Sequence, residues 1–108
     1  LRSKTWIWIS TNYNDGKYLT PKSPGKFTLK LGTGKFSATT DCNSMSGNYV
    51  SDKTTITFSQ IASTLKFCDG SQESDFSEML RSVSSFNINS KGELVLNLRY
   101  GVGASVFR

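Results

Sequence analysis

Residues 40–49 read TDCNSMSGNY, and residues 63–68 read STLKFC. Together they contain the only two cysteines of the chain, Cys42 and Cys68. The first cysteine stands among small polar residues that favour turns, and the second follows a run in which apolar and polar residues alternate. This arrangement indicates either a covalent cross-link or a chemical site where two distant parts of the chain meet.

Three interpretations of the cysteines compete: a disulfide, two buried thiols and a reactive pair. The spacing is too long for a Cys-x-x-Cys redox motif, and the chain has no histidine to activate a thiol or to complete a zinc site. A disulfide would close a loop of about 27 residues and contribute roughly 3–4 kcal/mol. We favour the disulfide, which would also indicate an oxidising compartment.

Length and composition predict one globular domain spanning residues 1–108. Hydrophobic residues make up 36% of the chain and aromatic residues 12%, enough for a core of its own. No run of eighteen apolar residues exists, so we expect no transmembrane segment. The chain begins with leucine, which suggests a processed piece with any signal peptide or lipid attachment upstream.

The net charge of +5 is unevenly distributed. Residues 1–40 carry seven basic residues and one acidic residue, whereas the remainder carries six basic and seven acidic residues. Within residues 26–31, lysines alternate with Phe27, Leu29 and Leu31, as expected on the solvent side of a half-buried strand. We therefore interpret the basic third as a solvated face and expect no nucleic-acid partner. Weak binding to an anionic surface is the alternative.

Strand patterns dominate the sequence, and one helical pattern interrupts them. Phe76, Met79, Leu80 and Val83 recur at helical spacing, which predicts a helix over about residues 71–84. Residues 12–25 contain both prolines and predict a long irregular connection. Alternating or β-branched runs predict strands at 5–10, 26–31, 35–39, 49–50, 54–58, 63–67, 85–89, 93–99 and 104–107. We therefore predict an α+β fold, mostly β, with about eight strands in a curved antiparallel sheet or partly closed barrel around one helix.

Two local features add detail to this fold. Asp69 and Gln72 have the spacing of a capping box at the start of the helix. Trp6 and Trp8 alternate with isoleucines, so both faces of the first strand are apolar and we expect both to be covered. The curved sheet beside Trp6 and Trp8 is our candidate groove for an apolar ligand.

No catalytic, cofactor-binding or metal-binding residues are predicted. The chain lacks histidine and has neither a Gly-x-x-x-x-Gly-Lys nor a Gly-x-Gly-x-x-Gly motif opening a helix. Asp41, Asn43 and Asn48 form a polar group, but one carboxylate would neutralise calcium poorly. We expect Asp41 and Asn43 to stabilise a turn, Gly47 to adopt a backbone conformation closed to other residues, and Tyr49 to re-enter the sheet.

The order of several spaced elements resembles the META domain family, which includes HslJ-like proteins. The elements are residues 36–43 (FSATTDCN), 46–49 (SGNY), 56–58 (ITF), 61–64 (IAST), Cys68, 72–73 (QE), Phe76, Leu80 and 94–96 (LVL). The similarity covers nearly the whole chain, from the strand around Trp6 to the closing Val106 and Phe107. Residues 65–67, LKF, differ from the Arg-Met-Ala often present in the family.

The resemblance implies a small α+β domain with a curved antiparallel sheet and one packed helix. It also implies a bacterial exported protein, periplasmic or associated with the outer membrane, and often a lipoprotein, with suggested links to stress and envelope integrity. The family motif maps to residues for which it implies structural roles: Asp41, Cys42, Asn43, Gly47, Tyr49, Thr64 and Cys68.

The leading functional hypothesis is a non-catalytic, monomeric envelope domain without a cofactor, which binds a protein or an apolar ligand through its curved sheet. An alternative from another class is a thiol-dependent enzyme or redox sensor that uses Cys42 or Cys68. The basic first third as a weak anionic-surface binder is a third hypothesis.

Overall fold

The computed structural model describes all residues, 1–108, and shows nine strands and one α-helix. The strands are β1 (Thr5–Tyr13), β2 (Tyr18–Leu19), β3 (Thr28–Leu31), β4 (Lys35–Thr39), β5 (Ser44–Ser51), β6 (Ile56–Ser63), β7 (Val83–Ile88), β8 (Leu94–Leu98) and β9 (Gly103–Phe107). The helix, α1, spans Glu73–Arg81, and a short 3-10 turn spans Arg99–Gly101. The predicted mostly β fold with one helix is confirmed.

All strand pairs are antiparallel, in the order β6-β5-β4-β3-β1-β9-β8-β7, with β2 paired to β1 alongside. The sheet curls until its two ends approach each other. Thr55 and Ser85 form an isolated bridge there, and the Phe86 N–H donates to the Thr54 carbonyl at 2.9 Å. The result is the curled half-barrel that the sequence predicts.

The concave side of the sheet is filled by aromatic and aliphatic side chains. Ring centroids of Trp8, Phe27 and Phe76 lie 5.0–5.5 Å apart, so the helix packs into the sheet through Phe76. Trp6 is 4% exposed and Trp8 is 2% exposed. Both tryptophans are therefore part of the core. The Trp8 indole N–H donates to the Thr11 hydroxyl at 3.0 Å, which satisfies its polar atom inside the core.

Several details differ from the sequence-based expectations. The helix is shorter than residues 71–84, because Val83 already pairs with Leu98 as the first residue of β7. Residues 63–67 are not a separate strand, since β6 runs through Ser63 and the chain then leaves the sheet. Within β1, only the tryptophan face is fully covered, and Ile7 and Ile9 on the other face are half-buried.

The predicted capping box does not form. No side chain caps the helix at Gln72, and Asp69 is exposed. Instead, the Asp41 carboxylate, from the turn after β4, binds the start of the helix. It accepts hydrogen bonds from the Gln72 N–H at 3.0 Å and from the Ser71 hydroxyl. The side-chain acceptor at the helix N-terminus is thus supplied about thirty positions upstream, and Glu73 and Asp75 add negative charge in the first turn.

Candidate functional site: the Asn43 cluster and the notch beside Trp8

Asp41, Asn43 and Thr64 of the sequence motif meet in one place, which we call the Asn43 cluster. It contains the β4–β5 turn, the segment that follows β6 and the start of α1, through Thr40, Asp41, Asn43, Thr64 and Glu73. Cys42 and Cys68 lie beside it and are joined by a disulfide, with Cα atoms 5.8 Å apart. The structure therefore has the disulfide, and neither cysteine is a free thiol.

Asn43 is the centre of the cluster, and its buried amide makes hydrogen bonds in two directions. Its Oδ1 accepts from the Thr64 hydroxyl at 2.7 Å and from the Lys66 N–H at 2.8 Å. Its Nδ2 donates to the Lys66 carbonyl and to Glu73 Oε2, both at 3.0 Å. An amide can act as donor and acceptor at once, which explains why this position takes asparagine.

The two carboxylates of the cluster are used in structural contacts. Glu73 Oε1 accepts from the Asn43 N–H at 3.0 Å and lies 2.6 Å from the Thr40 hydroxyl, while Asp41 binds the start of the helix. No buried side-chain polar atom in the molecule is left without a partner. The cluster is therefore a closed hydrogen-bond network that ties three segments together.

Gly47 and Tyr49, the remaining residues of the motif, lie in strand β5. Gly47 lies inside β5, and its φ angle is outside the left-handed region, contrary to expectation. Space is the reason for glycine: a Cβ there would lie 2.7 Å from both Phe36 Cε1 and the Ser59 carbonyl oxygen. Tyr49 is in the sheet as expected, and its hydroxyl donates to the Gly32 carbonyl.

The largest cleft is a notch in the sheet, where β2 and β3 leave a gap along β1. It has a volume of about 480 Å³. Its lining residues are Ile7, Trp8, Ile9, Thr20, Pro21, Pro24, Gly25 and Arg108. Trp8 of the candidate groove therefore borders a cleft, whereas Trp6 does not. The sequence indicated the two prolines only as part of an irregular connection and gave no signal for Arg108.

Gln72 holds the proline segment of the notch in place. Its side-chain Oε1 accepts from the Lys22 N–H at 2.8 Å, and its Nε2 donates to the Thr20 carbonyl at 2.9 Å. Gln72 itself is buried at the start of α1. These partners lie fifty or more positions away along the chain. The sequence therefore predicted only a local role for Gln72, in a capping box.

Few other groups have unusual chemistry. Burial raises the pKa of the Tyr13 phenol above its ordinary value, and the carboxylates of Glu78, Asp75 and Asp15 raise it further. No group of three or more acidic, cysteine or histidine side chains is arranged to hold a metal ion. Neither α1 nor the 3-10 turn has the length and hydrophobicity of a membrane-spanning helix.

The META domain family model matches residues 1–108, the whole chain. The chain belongs to the META domain family. No curated protein sequence matches this META domain. In this META domain, the Asn43 cluster brings Asp41, Asn43 and Thr64 of the motif together beside the Cys42–Cys68 disulfide, and its contacts are structural ones.

Two solved structures share the fold of this META domain. An NMR structure of a protein from Burkholderia xenovorans superposes with a TM-score of 0.78 and 21% identity, covering 99% of this chain and 81% of that one. The crystal structure of a DUF4847 family protein from Bacteroides vulgatus ATCC 8482 has a TM-score of 0.74 and 14% identity, covering 98% and 92%. At these identities, the similarity establishes the fold alone.

Proposed function

We propose that this META domain is a non-catalytic domain of an exported protein, and that it binds an apolar ligand in the notch beside Trp8. The ligand is either a free molecule or an apolar segment of a partner protein. The notch is the observation that carries the proposal. Its volume of about 480 Å³ is within the range of small-molecule sites, and its walls combine isoleucine side chains with proline rings.

The notch is largely formed before a ligand arrives. The proline segment is bound to Gln72 by two hydrogen bonds, and β1 is held by β3 and β9 on its two edges. A site with fixed walls does not need to be ordered on binding, so more of the gain from apolar burial contributes to affinity.

Arg108 suggests the character of one end of the ligand. It is the only charged residue lining the notch, and its backbone is fixed by two hydrogen bonds with Ile7 at 2.8 and 2.9 Å. A guanidinium beside an apolar cleft favours a carboxylate or phosphate group. We therefore propose a ligand with an apolar body and an anionic end.

Several features support a non-catalytic role and an exported location. Both cysteines are in the disulfide, so neither is a nucleophile in this form, and the carboxylates of Asp41 and Glu73 are bound in the Asn43 cluster. A disulfide of this kind persists in oxidising compartments. A periplasmic or outer-membrane location, and a link to stress or envelope integrity, remain predictions.

Titration with decanoate, followed by the backbone amide NMR shifts, tests the proposal. We expect saturable shifts in residues 7–9 and 20–25, and weaker shifts with decanol, which lacks the anionic end. Ile9→Thr should weaken decanoate binding about fivefold, because the ethyl group of a residue that lines the notch is replaced by a hydroxyl. Ile88→Thr makes the same change on β7, away from the notch, and should leave the affinity unchanged.

Two results would count against the notch as a ligand site. The first is a titration without saturable shifts, and the second is an equal effect of Ile9→Thr and Ile88→Thr. Thiol titration of the native, unreduced protein tests the alternative of a thiol enzyme or redox sensor. The disulfide predicts no reactive thiol, whereas one rapidly reacting thiol would favour that alternative.

A further inference from the structure

Two large apolar side chains protrude from the segment between β6 and α1. Leu65 is 98% exposed and Phe67 is 88% exposed. We call residues 64–68 the apolar loop. Such exposure is unusual for two neighbouring large apolar residues, and contiguous exposed apolar surface commonly marks an interaction site.

The backbone of the apolar loop is fixed on both sides of these residues. Lys66 makes backbone hydrogen bonds to the Asn43 side chain through both its N–H, at 2.8 Å, and its carbonyl, at 3.0 Å. The Thr64 N–H donates to the Ser44 carbonyl at 3.1 Å, and Cys68 is held by the disulfide. The loop therefore cannot fold back to bury its apolar side chains against its own core.

The size and shape of this surface favour a lipid bilayer over a protein partner. A stable protein interface buries about 800 Å² on each side, whereas a phenylalanine side chain supplies about 150–250 Å². Along the chain, Leu65 and Phe67 are flanked by Thr64, Lys66 and the disulfide-bonded Cys68, none of which adds another large apolar side chain. A bilayer accepts a small convex tip because its acyl chains adapt to the inserted shape.

Three lysines belong to segments at the same end of the molecule. Lys66 lies between the two apolar residues, and the Lys22 N–H bonds the start of the helix through Gln72. The Thr39 hydroxyl donates to the Lys26 carbonyl at 2.9 Å, next to the β4–β5 turn.

Acidic residues also occur at this end. Asp41 and Glu73 are bound inside the Asn43 cluster, and Asp69 is the exposed acid. Together with Asp75 in the first turn of α1, these acids offset the lysines of this end, so the attraction to an anionic surface rests on the exposed Lys66 beside the inserted side chains.

We propose that the apolar loop is a membrane-docking element, which inserts Leu65 and Phe67 into the surface of an anionic bilayer while Lys66 contacts lipid headgroups. The interaction places the domain on the membrane without spanning it. The proposal is independent of the notch, because the two sites share no residue.

Co-sedimentation with lipid vesicles in physiological salt tests this proposal. The vesicles contain three parts phosphatidylcholine and one part phosphatidylglycerol, with pure phosphatidylcholine for comparison. We expect the protein to bind the mixed vesicles more tightly. The double variant Leu65→Ser, Phe67→Ser should bind at least about tenfold less. Lys66→Gln should reduce binding to the mixed vesicles about fivefold.

A matched double variant serves as the control. Val50→Thr, Tyr18→Ser removes two other exposed apolar side chains, which are 71% and 60% exposed, and should bind like the parent protein. Phe67→Trp adds a direct readout, because the tryptophan emission should shift to shorter wavelength on vesicle binding. Trp6 and Trp8 are buried in the core, so their contribution should stay constant.

Three outcomes would overturn the proposal. They are no binding to the mixed vesicles, an equal loss of binding in both double variants, and an unchanged Phe67→Trp emission. Both double variants change side chains that lie outside the core, so thermal unfolding midpoints close to the parent value are expected and confirm that each variant is folded.

Discussion

Asn43 donates from its backbone N–H to one carboxylate oxygen of Glu73 and from its side-chain amide to the other, both at 3.0 Å. This two-point contact joins the turn after β4 to the first residue of the helix, thirty positions later. The remaining hydrogen bonds of the Asn43 side chain hold the apolar loop. One buried asparagine thus links the helix to the apolar loop.

Replacing Asn43 with aspartate tests how strongly this contact stabilises the fold. Asn43→Asp removes the two hydrogen bonds that the side-chain Nδ2 donates and places a second carboxylate against Glu73. We expect a loss of about 2–4 kcal/mol in the free energy of unfolding at neutral pH. Two adjacent carboxylates hold a proton more readily in the folded state, so the loss relative to the parent should shrink as pH falls to about 4, where the unfolded chain is protonated as well. Urea denaturation across this pH range measures both effects.

The control for this change is Asn87→Asp, which makes the same substitution on the exposed surface. Asn87 accepts a hydrogen bond from Asn97 through its side-chain oxygen, and aspartate retains that acceptor. We expect a change below about 0.5 kcal/mol. A comparable loss in both variants would contradict the structural role of Asn43.

Asp41 and Asp69 provide a direct test of which acid stabilises the helix N-terminus. Asp41→Asn should lower the free energy of unfolding by about 1–2 kcal/mol. The carboxylate oxygen that accepts from the Gln72 N–H becomes either a weaker, uncharged acceptor or an N–H donor. Asp69→Asn should have little effect, since Asp69 is exposed and forms no cap. Chemical denaturation of the two variants measures both losses. A larger loss in Asp69→Asn than in Asp41→Asn would support the capping box that the sequence predicted.

Gly47 is expected to be intolerant of even a methyl group. In Gly47→Ala, the new Cβ would meet Phe36 and the Ser59 carbonyl at 2.7 Å, so the strands must shift and we expect a loss of about 1–3 kcal/mol. Gly32→Ala is the matched control, because its Cβ would lie 3.4 Å from the Lys35 carbonyl oxygen. Similar thermal midpoints for the two alanine variants would show that crowding at Gly47 is relieved without cost.

Tyr13 predicts how stability changes at alkaline pH. The pKa of its phenol is raised in the folded state, so the folded protein favours the protonated form. The free energy of unfolding is therefore unaffected by this group below the unfolded pKa of about 10, and it falls as pH rises above that value. Tyr13→Phe should therefore leave stability nearly unchanged at neutral pH and reduce its decline above about pH 10. Tyr100→Phe, at a side chain that is 93% exposed, should follow the parent curve in the same denaturation series.

Much of the fold follows from local sequence patterns. The alternation of lysines with Phe27 and Leu29, the turn glycines and the helical spacing of Phe76, Met79 and Leu80 depend on neighbours within a few residues. These patterns sufficed to predict a mostly antiparallel sheet with one helix. The two cysteines favoured a disulfide, which indicated that the segments around residues 42 and 68 meet.

The tertiary structure decided which partners these residues have. The cap at Gln72 comes from Asp41, the crowding at Gly47 comes from Phe36 and Ser59, and the amide of Asn43 holds the apolar loop. Each contact joins residues that the chain places far apart, so no local pattern records it. The sequence determined the elements through short-range backbone preferences, whereas the notch and the exposed apolar loop result from how the curled sheet brings those elements together.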